Sequence, residues 1–223
     1  KTSCGTVLTI KKNNMEDSIA PYTIYAEMTP NPNTMKFVAN RWLVTNDKSY
    51  EVLANERVGS PSPLAEALFN FPFVNGVFIA GNFVTITKSE AVEWQDIMIE
   101  MRDFISNFLN TEGNVIIREE FLNGEAEVPV AKVGDDTEVA TPKIDLTDFD
   151  KKIIEILDEY IKPAVEGDGG AIEFHSYEDG LVKVVLKGAC SGCPSSTATL
   201  KGGIESLLKS MLPEVKEVEA ING

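Results

Sequence analysis

The sequence contains few residues of the kinds that bind metals or form disulfides. Its 223 residues include three cysteines and one histidine, too few for a disulfide framework in a chain of this length. Two of the cysteines, Cys190 and Cys193, lie three residues apart in the stretch GACSGCPSS. This CxxC pair indicates reduced thiols in a reducing compartment, used for metal binding or for redox chemistry.

Long hydrophobic runs are also missing. No run of eighteen apolar residues occurs, so we expect no membrane-spanning helix and no membrane partner. The first residues, KTSCGTVLTIKKNNMED, have neither the apolar core of a secretory signal nor the Arg- and Ser-rich character of a transit peptide. We therefore expect a cytoplasmic protein of bacterial type. The alternative is a mitochondrial or plastid matrix form that lacks its transit peptide.

Basic side chains are in the minority. The chain has 20 Lys and Arg against 35 Asp and Glu, for a formal net charge of −15. Such a chain repels the phosphate backbone, which argues against nucleic acid as a partner.

The composition changes near residue 110 and divides the chain. Residues 110–146 carry nine acidic and three basic side chains and predict an acidic linker with one weak strand near residues 115–117. The predicted fold class is α+β, with two small α+β domains at residues 22–109 and 147–223. A flexible N-terminal segment, residues 1–21, precedes them.

The N-terminal domain shows short strand and helix patterns. They predict strands at 22–28 and 35–39, a helix at 63–69, a hairpin at 74–88 with its turn at Gly81 and Asn82, and a closing helix at 93–109. Ser62 is the expected N-cap of the first helix, and Pro63 suits its first position. The domain has no cluster of Cys, His or carboxylate residues, so we expect partner recognition there rather than catalysis.

The C-terminal domain has the predicted order α-β-β-α-β. Thr147 and Asp150 have the spacing of a capping box, and successive glycines at 167–170 end the first helix. A hairpin follows at 171–187, then a helix from Pro194 that contains Gly202 and Gly203, then a strand near 215–221. The apolar face of the first helix is predicted to comprise Ile153, Ile156, Leu157, Tyr160 and Ala164. That of the second is predicted to comprise Leu200, Ile204, Leu207, Leu208 and Met211.

Glycines have two expected roles in this domain. Gly202 and Gly203 cost helix stability, so we expect close packing of the helix on the sheet at this point. The turn 167-GDGGA-171 lacks the strand–turn–helix context of a nucleotide loop, and we expect it to support the cysteine loop.

The cysteine loop lies at a predicted strand-to-helix turn. Metal binding and thiol exchange both require thiolates, and unpaired N–H groups at the start of the Pro194 helix favour negative charge. Gly188 and Gly192 allow the backbone to curl around sulfur. Pro194 suits the first helical position because it has no N–H to leave unpaired.

Two thiolates supply half of a metal site, because structural zinc and iron–sulfur clusters take four protein ligands. Cys4 and His175 are the remaining candidate ligands, and we interpret His175 as structural. A homodimer that contributes the pair twice completes the set without either. The alternative functions are a CxxC dithiol–disulfide oxidoreductase and a zinc-stapled structural dimer, although a thioredoxin motif normally follows the first strand of a βαβ unit.

Two parts of the chain resemble the Nfu iron–sulfur proteins. The span 148–221, with 166-EGDGGAIEF-174, 183-KVVLKGACSGCPSSTATLKGGIE-205 and 213-PEVKEVEA-220, resembles their NifU-like C-terminal domain. The segments 29-TPNPNTMKFV-38 and 63-PLAEALFNFPFVNGVFIAGNFVTITK-88 resemble the N-terminal domain of the same family.

The resemblance implies a scaffold or carrier rather than an enzyme. It would bind a [4Fe–4S] cluster, or alternatively [2Fe–2S], between two subunits through Cys190 and Cys193 of each. The implied partners are apo iron–sulfur proteins as recipients, upstream cluster assembly proteins, and a second copy of the chain while the cluster is bound. The sequence shows no separate cysteine-rich assembly domain, so the resemblance favours cluster transfer over primary assembly.

Overall fold

The computed structural model describes residues 20–44, 48–56, 60–111, 116–118, 147–191 and 194–222. They form two α+β units, in agreement with the predicted fold class. The N-terminal unit contains β1 (Ile24–Met28), β2 (Thr34–Ala39), β3 (Ser49–Leu53), a 3₁₀ turn (Ala54–Glu56), α1 (Pro63–Leu68), β4 (Val74–Ala80), β5 (Phe83–Lys88) and α2 (Trp94–Thr111). No helix in these ranges is long and apolar enough to cross a membrane.

The N-terminal unit is a five-stranded antiparallel sheet in the order β1-β2-β5-β4-β3. The predicted helix at 63–69 is confirmed and ends at Leu68, and the predicted hairpin is also confirmed: the Ser62 hydroxyl accepts the Ala65 N–H at 3.2 Å, and Gly81 begins the turn with φ +50°. Sequence analysis missed β3, although the buried Tyr50 and Val52 alternate with partly buried neighbours as in a half-buried strand.

One face of this sheet packs against α1 and α2. Phe37, Ile79 and Ile86 point into the core from the strands, and Met101 and Ile105 meet them from α2. Every one of these side chains is fully inaccessible to solvent. This core makes the N-terminal unit a rigid platform for whatever its other face contacts.

The C-terminal unit begins at a capping box. The Thr147 hydroxyl accepts the Asp150 N–H at 3.1 Å, and Asp150 Oδ2 accepts the Thr147 N–H at 2.8 Å. The elements are α3 (Asp148–Ile156), a π-turn (Leu157–Ile161), α4 (Lys162–Gly167), β6 (Gly170–Glu178), β7 (Leu181–Gly188), α5 (Pro194–Met211) and β8 (Glu217–Asn222). Strand β7 pairs antiparallel with β6 and parallel with β8, with α5 as the crossover.

The π-turn corrects the predicted face of the first helix. Tyr160 is 49% exposed and Ala164 is also exposed, whereas Ile161 packs on the core and Val165 is 1% exposed. The Lys162 N–H bonds to Leu157 O, five residues back, because Pro163 cannot continue an α-helical ladder and would collide with the carbonyl four residues earlier. The additional residue in the turn moves the apolar face on by one position.

Helix α5 corrects two further expectations. Ile204 and Leu208 are fully buried, but Met211 is 43% exposed. Gly202 and Gly203 are exposed, and a methyl group placed on either would meet no atom within 4 Å. The two glycines therefore do not serve close packing of this helix on the sheet.

The segment after α2 also differs from expectation. Ile116 and Ile117 form a bend rather than the predicted weak strand. Ile117 is buried in the N-terminal core, and the Arg118 N–H donates to Pro61 O at 2.8 Å. The acidic residues 119–146 and the N-terminal residues 1–19 lie outside the described residues.

Candidate cysteine site

Cys190 lies in the turn that follows β7. Gly188 ends the strand with φ +66°, a conformation that L side chains rarely adopt. The turn closes when the Ser191 N–H and hydroxyl both donate to Gly188 O, at 3.1 and 2.9 Å. Helix α5 begins at Pro194. Gly192 and Cys193, the other predicted members of the loop, lie outside the described residues.

The start of β6 forms one wall around the Cys190 thiol. Gly170 pairs with Gly188 across the sheet. A Cβ atom at Gly170 would lie 2.8 Å from Cys190 Sγ and 2.6 Å from Lys187 O, so only glycine fits here. Cys190 is 6% exposed. The thiol is therefore enclosed by the backbone of its own domain.

The glycine turn before β6 supports the cysteine turn, as expected from the sequence. Gly169 has φ +84°, and its carbonyl accepts the Ala189 N–H at 3.2 Å. Gly169 and Gly170 thus contact the residues on both sides of Gly188. This arrangement joins the stop of α4 directly to the cysteine turn.

The N-terminal unit contributes polar contacts to the same backbone. Glu51 Oε1 accepts the Gly188 N–H at 3.0 Å, and Asn31 Nδ2 donates to Ala189 O at 3.3 Å. On the glycine turn before β6, the Thr85 hydroxyl donates to Gly169 O at 2.7 Å, and Lys36 Nζ donates to Gly167 O at 3.2 Å. The cysteine turn is therefore held by side chains that precede it by more than 100 residues.

Glu51 has unusual electrostatics. The residue as a whole is only partly buried, but its Oε2 atom is inaccessible and has no hydrogen-bond partner in the described part of the chain. Burial raises the pKa of Glu51 to about 7, although the Gly188 N–H and the Lys187 ammonium group act in the opposite direction. A carboxylate with this pKa changes charge near neutrality at the joint between the units.

An apolar patch accompanies these hydrogen bonds. Val38, Phe78, Ala80 and Phe83 of the N-terminal sheet form a buried cluster with Ala171 of β6. A Cβ atom at Gly188 would lie 2.8 Å from the Phe78 ring. Beside this patch a cleft of ≈ 290 Å³ separates the units, so their packing is incomplete.

Of the other candidate ligands, the structure describes His175, which lies far from Cys190. His175 is the extra residue of a bulge in β6, and its Nδ1 lies 3.2 Å from Ser176 Oγ. Five residues along a strand place it roughly 16 Å from Gly170, so it serves as a sheet residue, as interpreted from the sequence. Cys4 lies outside the described residues. Within the described ranges, no group of three or more His, Cys, Asp and Glu side chains could hold a metal ion.

Sequence analysis did not identify Glu51, Thr85, Asn31 or Lys36 as part of this site. One signal was present: the run 77-VFIA-80 is apolar without alternation, and 83-FVTI-86 has Thr85 as its single polar residue, a pattern typical of strands covered on both faces. The helices cover one face, so the pattern required a second covering layer. The pattern did not identify which part of the chain supplies that layer.

Comparisons with known proteins agree with this architecture. Residues 24–112 match the model of the scaffold protein Nfu/NifU N-terminal domain, and residues 153–219 match that of the NifU-like domain. The chain belongs to the Nfu/NifU family. It is 36% identical over 201 residues to the mitochondrial NFU1 iron–sulfur cluster scaffold homolog of Drosophila erecta, covering 89% of this chain and 64% of the relative.

A second relative covers more of the chain. The mitochondrial NFU1 scaffold homolog of Drosophila persimilis is 34% identical over 212 residues, which cover 94% of this chain and 70% of that protein. The chain thus spans about two thirds of the length of these Nfu relatives. Among solved structures, a NifU-like protein from Saccharomyces cerevisiae is similar at 26% identity and a TM-score of 0.36, over 43% of this chain and 85% of that one.

Proposed function

We propose that this Nfu-family protein is a carrier that binds a [4Fe–4S] cluster between two subunits and transfers it to apo iron–sulfur proteins. The observation that supports this most directly is the Cys190 turn, with Cys193 three residues on, at the end of β7 and before α5. The cluster is cargo, so the role is not enzymatic. Relatives that are named iron–sulfur cluster scaffold homologs support the same function.

Ligand number favours a shared cluster. A cluster of this type takes four protein thiolates, and each chain offers two in its CxxC pair. Two subunits then supply Cys190 and Cys193 twice. A cluster held at such a seam can be passed on, because a recipient thiol replaces one ligand at a time. The upstream assembly proteins would deliver the cluster to the same pair.

The relatives bear on location. The bacterial-type cytoplasmic location expected from the sequence is not supported, because the relatives are named as mitochondrial proteins. We propose a mitochondrial location for this chain as well.

The test is anaerobic reconstitution with iron and sulfide. We expect a brown dimer with about two irons and two sulfides per chain, as measured by metal and sulfide analysis, visible absorption and molecular mass. Cys190→Ala and Cys193→Ala should each abolish it. Cys4→Ala is the matched control and should load like the unmodified chain, because no cluster role is proposed for Cys4.

Other outcomes would replace the proposal. A colourless monomer that cycles with a dithiol reductant and turns over a disulfide substrate would indicate an oxidoreductase. Tightly held colourless metal, with loss of folding on chelation, would indicate a zinc-stapled dimer. About one iron and one sulfide per chain in the dimer would indicate [2Fe–2S] instead of [4Fe–4S].

A further inference from the structure

The outer face of the N-terminal sheet, opposite α1 and α2, packs against the cysteine turn. Residues on one face of the neighbouring strands alternate along each strand and pair across them. We call this set the docking face: Lys36, Val38, Glu51, Phe78, Phe83 and Thr85. Each member contacts the C-terminal unit or belongs to the apolar cluster with Ala171. The face therefore acts as one contiguous surface.

The docking face holds both backbone segments that enclose Cys190. Glu51 bonds the Gly188 N–H on the strand that leads into the turn. Thr85 bonds Gly169 O on the segment that leads into β6, next to Gly170, where a Cβ atom would collide with the thiol. As long as both contacts persist, neither segment can move away from Cys190 Sγ.

This closure conflicts with ligand sharing. A thiolate that bonds a cluster between two subunits must be reachable from outside its own chain, and Cys190 is 6% exposed. The turn must therefore open before a second subunit, or a recipient thiol, can reach the sulfur. Holding the turn closed and holding a shared cluster are alternative states of one site.

We propose that the docking face is an intramolecular latch: docked, it keeps Cys190 buried in the cysteine turn, and its release makes the thiol accessible to a second subunit. The latch itself does not depend on the proposed function. Its effect on cluster uptake rests on that function.

The contact has the strength expected of a reversible joint. It consists of a few hydrogen bonds, one small apolar patch and an adjoining cleft of ≈ 290 Å³. Interfaces between domains of one chain that are small and partly polar permit relative motion by default. A contact of this kind can open without unfolding either unit.

The sharpest test removes one contact and observes another. Thr85→Val keeps the side-chain shape but removes the bond to Gly169 O. The readout is hydrogen exchange at the Gly188 amide, which bonds to Glu51 and not to Thr85. If the face docks as a unit, exchange at Gly188 should rise roughly tenfold. Alkylation of Cys190 in the reduced cluster-free protein, followed by peptide mass mapping, should rise by a similar factor.

Thr87→Val is the matched control. Thr87 lies two residues further along β5 on the same face, opposite Gly76 of β4. Its replacement by valine is the same chemical change as Thr85→Val, but it leaves the hydrogen bond to Gly169 O in place. It should leave exchange at Gly188 and alkylation of Cys190 unchanged. Equal values for the two variants in both measurements would overturn the latch.

Cluster uptake separates this inference from the proposed function. Under the reconstitution conditions above, Thr85→Val should take up iron and sulfide faster than Thr87→Val. Slower uptake would overturn the latch. It would indicate instead that the docked arrangement stabilises the cluster-bound site. If neither variant forms a cluster, the proposed function fails, while exchange and alkylation still decide whether the latch exists.

Discussion

At the scale of single residues, the site depends on positions where a side chain has no room. A Cβ atom at Gly170 would collide with Cys190 Sγ and Lys187 O, and Gly188 combines φ +66° with no room for a Cβ atom beside the Phe78 ring. The sequence indicated that glycines surround the cysteines. It did not indicate which of them are fixed by contact and which are open, because that depends on neighbours distant in the chain.

Gly170→Ala tests the close contact with the thiol. The new methyl group would lie 2.6 Å from Lys187 O and 2.8 Å from Cys190 Sγ, and such overpacking costs roughly 1–3 kcal/mol. We expect a lower free energy of unfolding by urea denaturation. Gly167→Ala, at the end of α4 with no atom within 4 Å of the new methyl group, is the control and should not destabilise. Equal stability of the two variants would show that the residues around Cys190 shift at little cost to accommodate a methyl group at position 170.

At the scale of elements, one helix shows how a local rule and a local exception combine. The Thr147 capping box starts α3 as the spacing predicts. The π-turn before Pro163 then moves the apolar face by one residue, so that Val165 rather than Ala164 is buried. A pattern that assumes 3.6 residues in every turn cannot anticipate this shift, because the π-turn adds one residue to a single turn.

Helix α5 carries the prediction that follows from its two exposed glycines. Gly202→Ala and Gly203→Ala should each raise the free energy of unfolding by roughly 0.5–1 kcal/mol, because alanine lowers the entropy of the unfolded chain and meets no obstruction in the helix. Urea denaturation of the cluster-free protein measures this. Destabilisation by either substitution would restore the interpretation that these glycines allow close packing.

At the scale of the whole molecule, the two units form one site. The N-terminal unit had no visible chemistry in the sequence, and partner recognition remains our prediction for it. The structure adds that it contacts the cysteine turn through its outer sheet face. The N-terminal unit therefore binds the C-terminal unit of its own chain.

Docking should depend on pH through Glu51. In the docked form its pKa is raised from 4.5 to about 7, so the docked form binds the proton more tightly than the undocked form does. Docking is therefore favoured most below the ordinary pKa, and that advantage is lost as pH rises through about 7. Two other charged groups act on the pKa of Glu51: Lys187 lowers it and Glu56 raises it.

Small-angle scattering of the cluster-free protein measures this dependence. The radius of gyration should be larger at about pH 8 than at about pH 5.5. Glu51→Gln retains an acceptor oxygen for the Gly188 N–H but cannot ionise, so its radius should not change between the two. A pH response that persists in Glu51→Gln would assign the effect to another group.

The sequence by itself determined the features that depend on near neighbours. The capping box at Thr147, the hairpin turn at Gly81 and the placement of Cys190 after a strand all rest on residues a few positions apart. Backbone propensity and side-chain caps act over that range, so the α+β class and most of its elements followed from the sequence, although β3 and the π-turn did not.

Only the tertiary structure decided how the cysteine turn is enclosed. Glu51 and Gly188 are 137 residues apart, and Thr85 and Gly169 are 84 residues apart. No local pattern relates such positions, because the docking face exists only after the four strands β2 to β5 have paired and set alternate side chains on one surface. The contact between the docking face and the backbone on both sides of Cys190 is therefore a property of two folded units, and not of the CxxC motif.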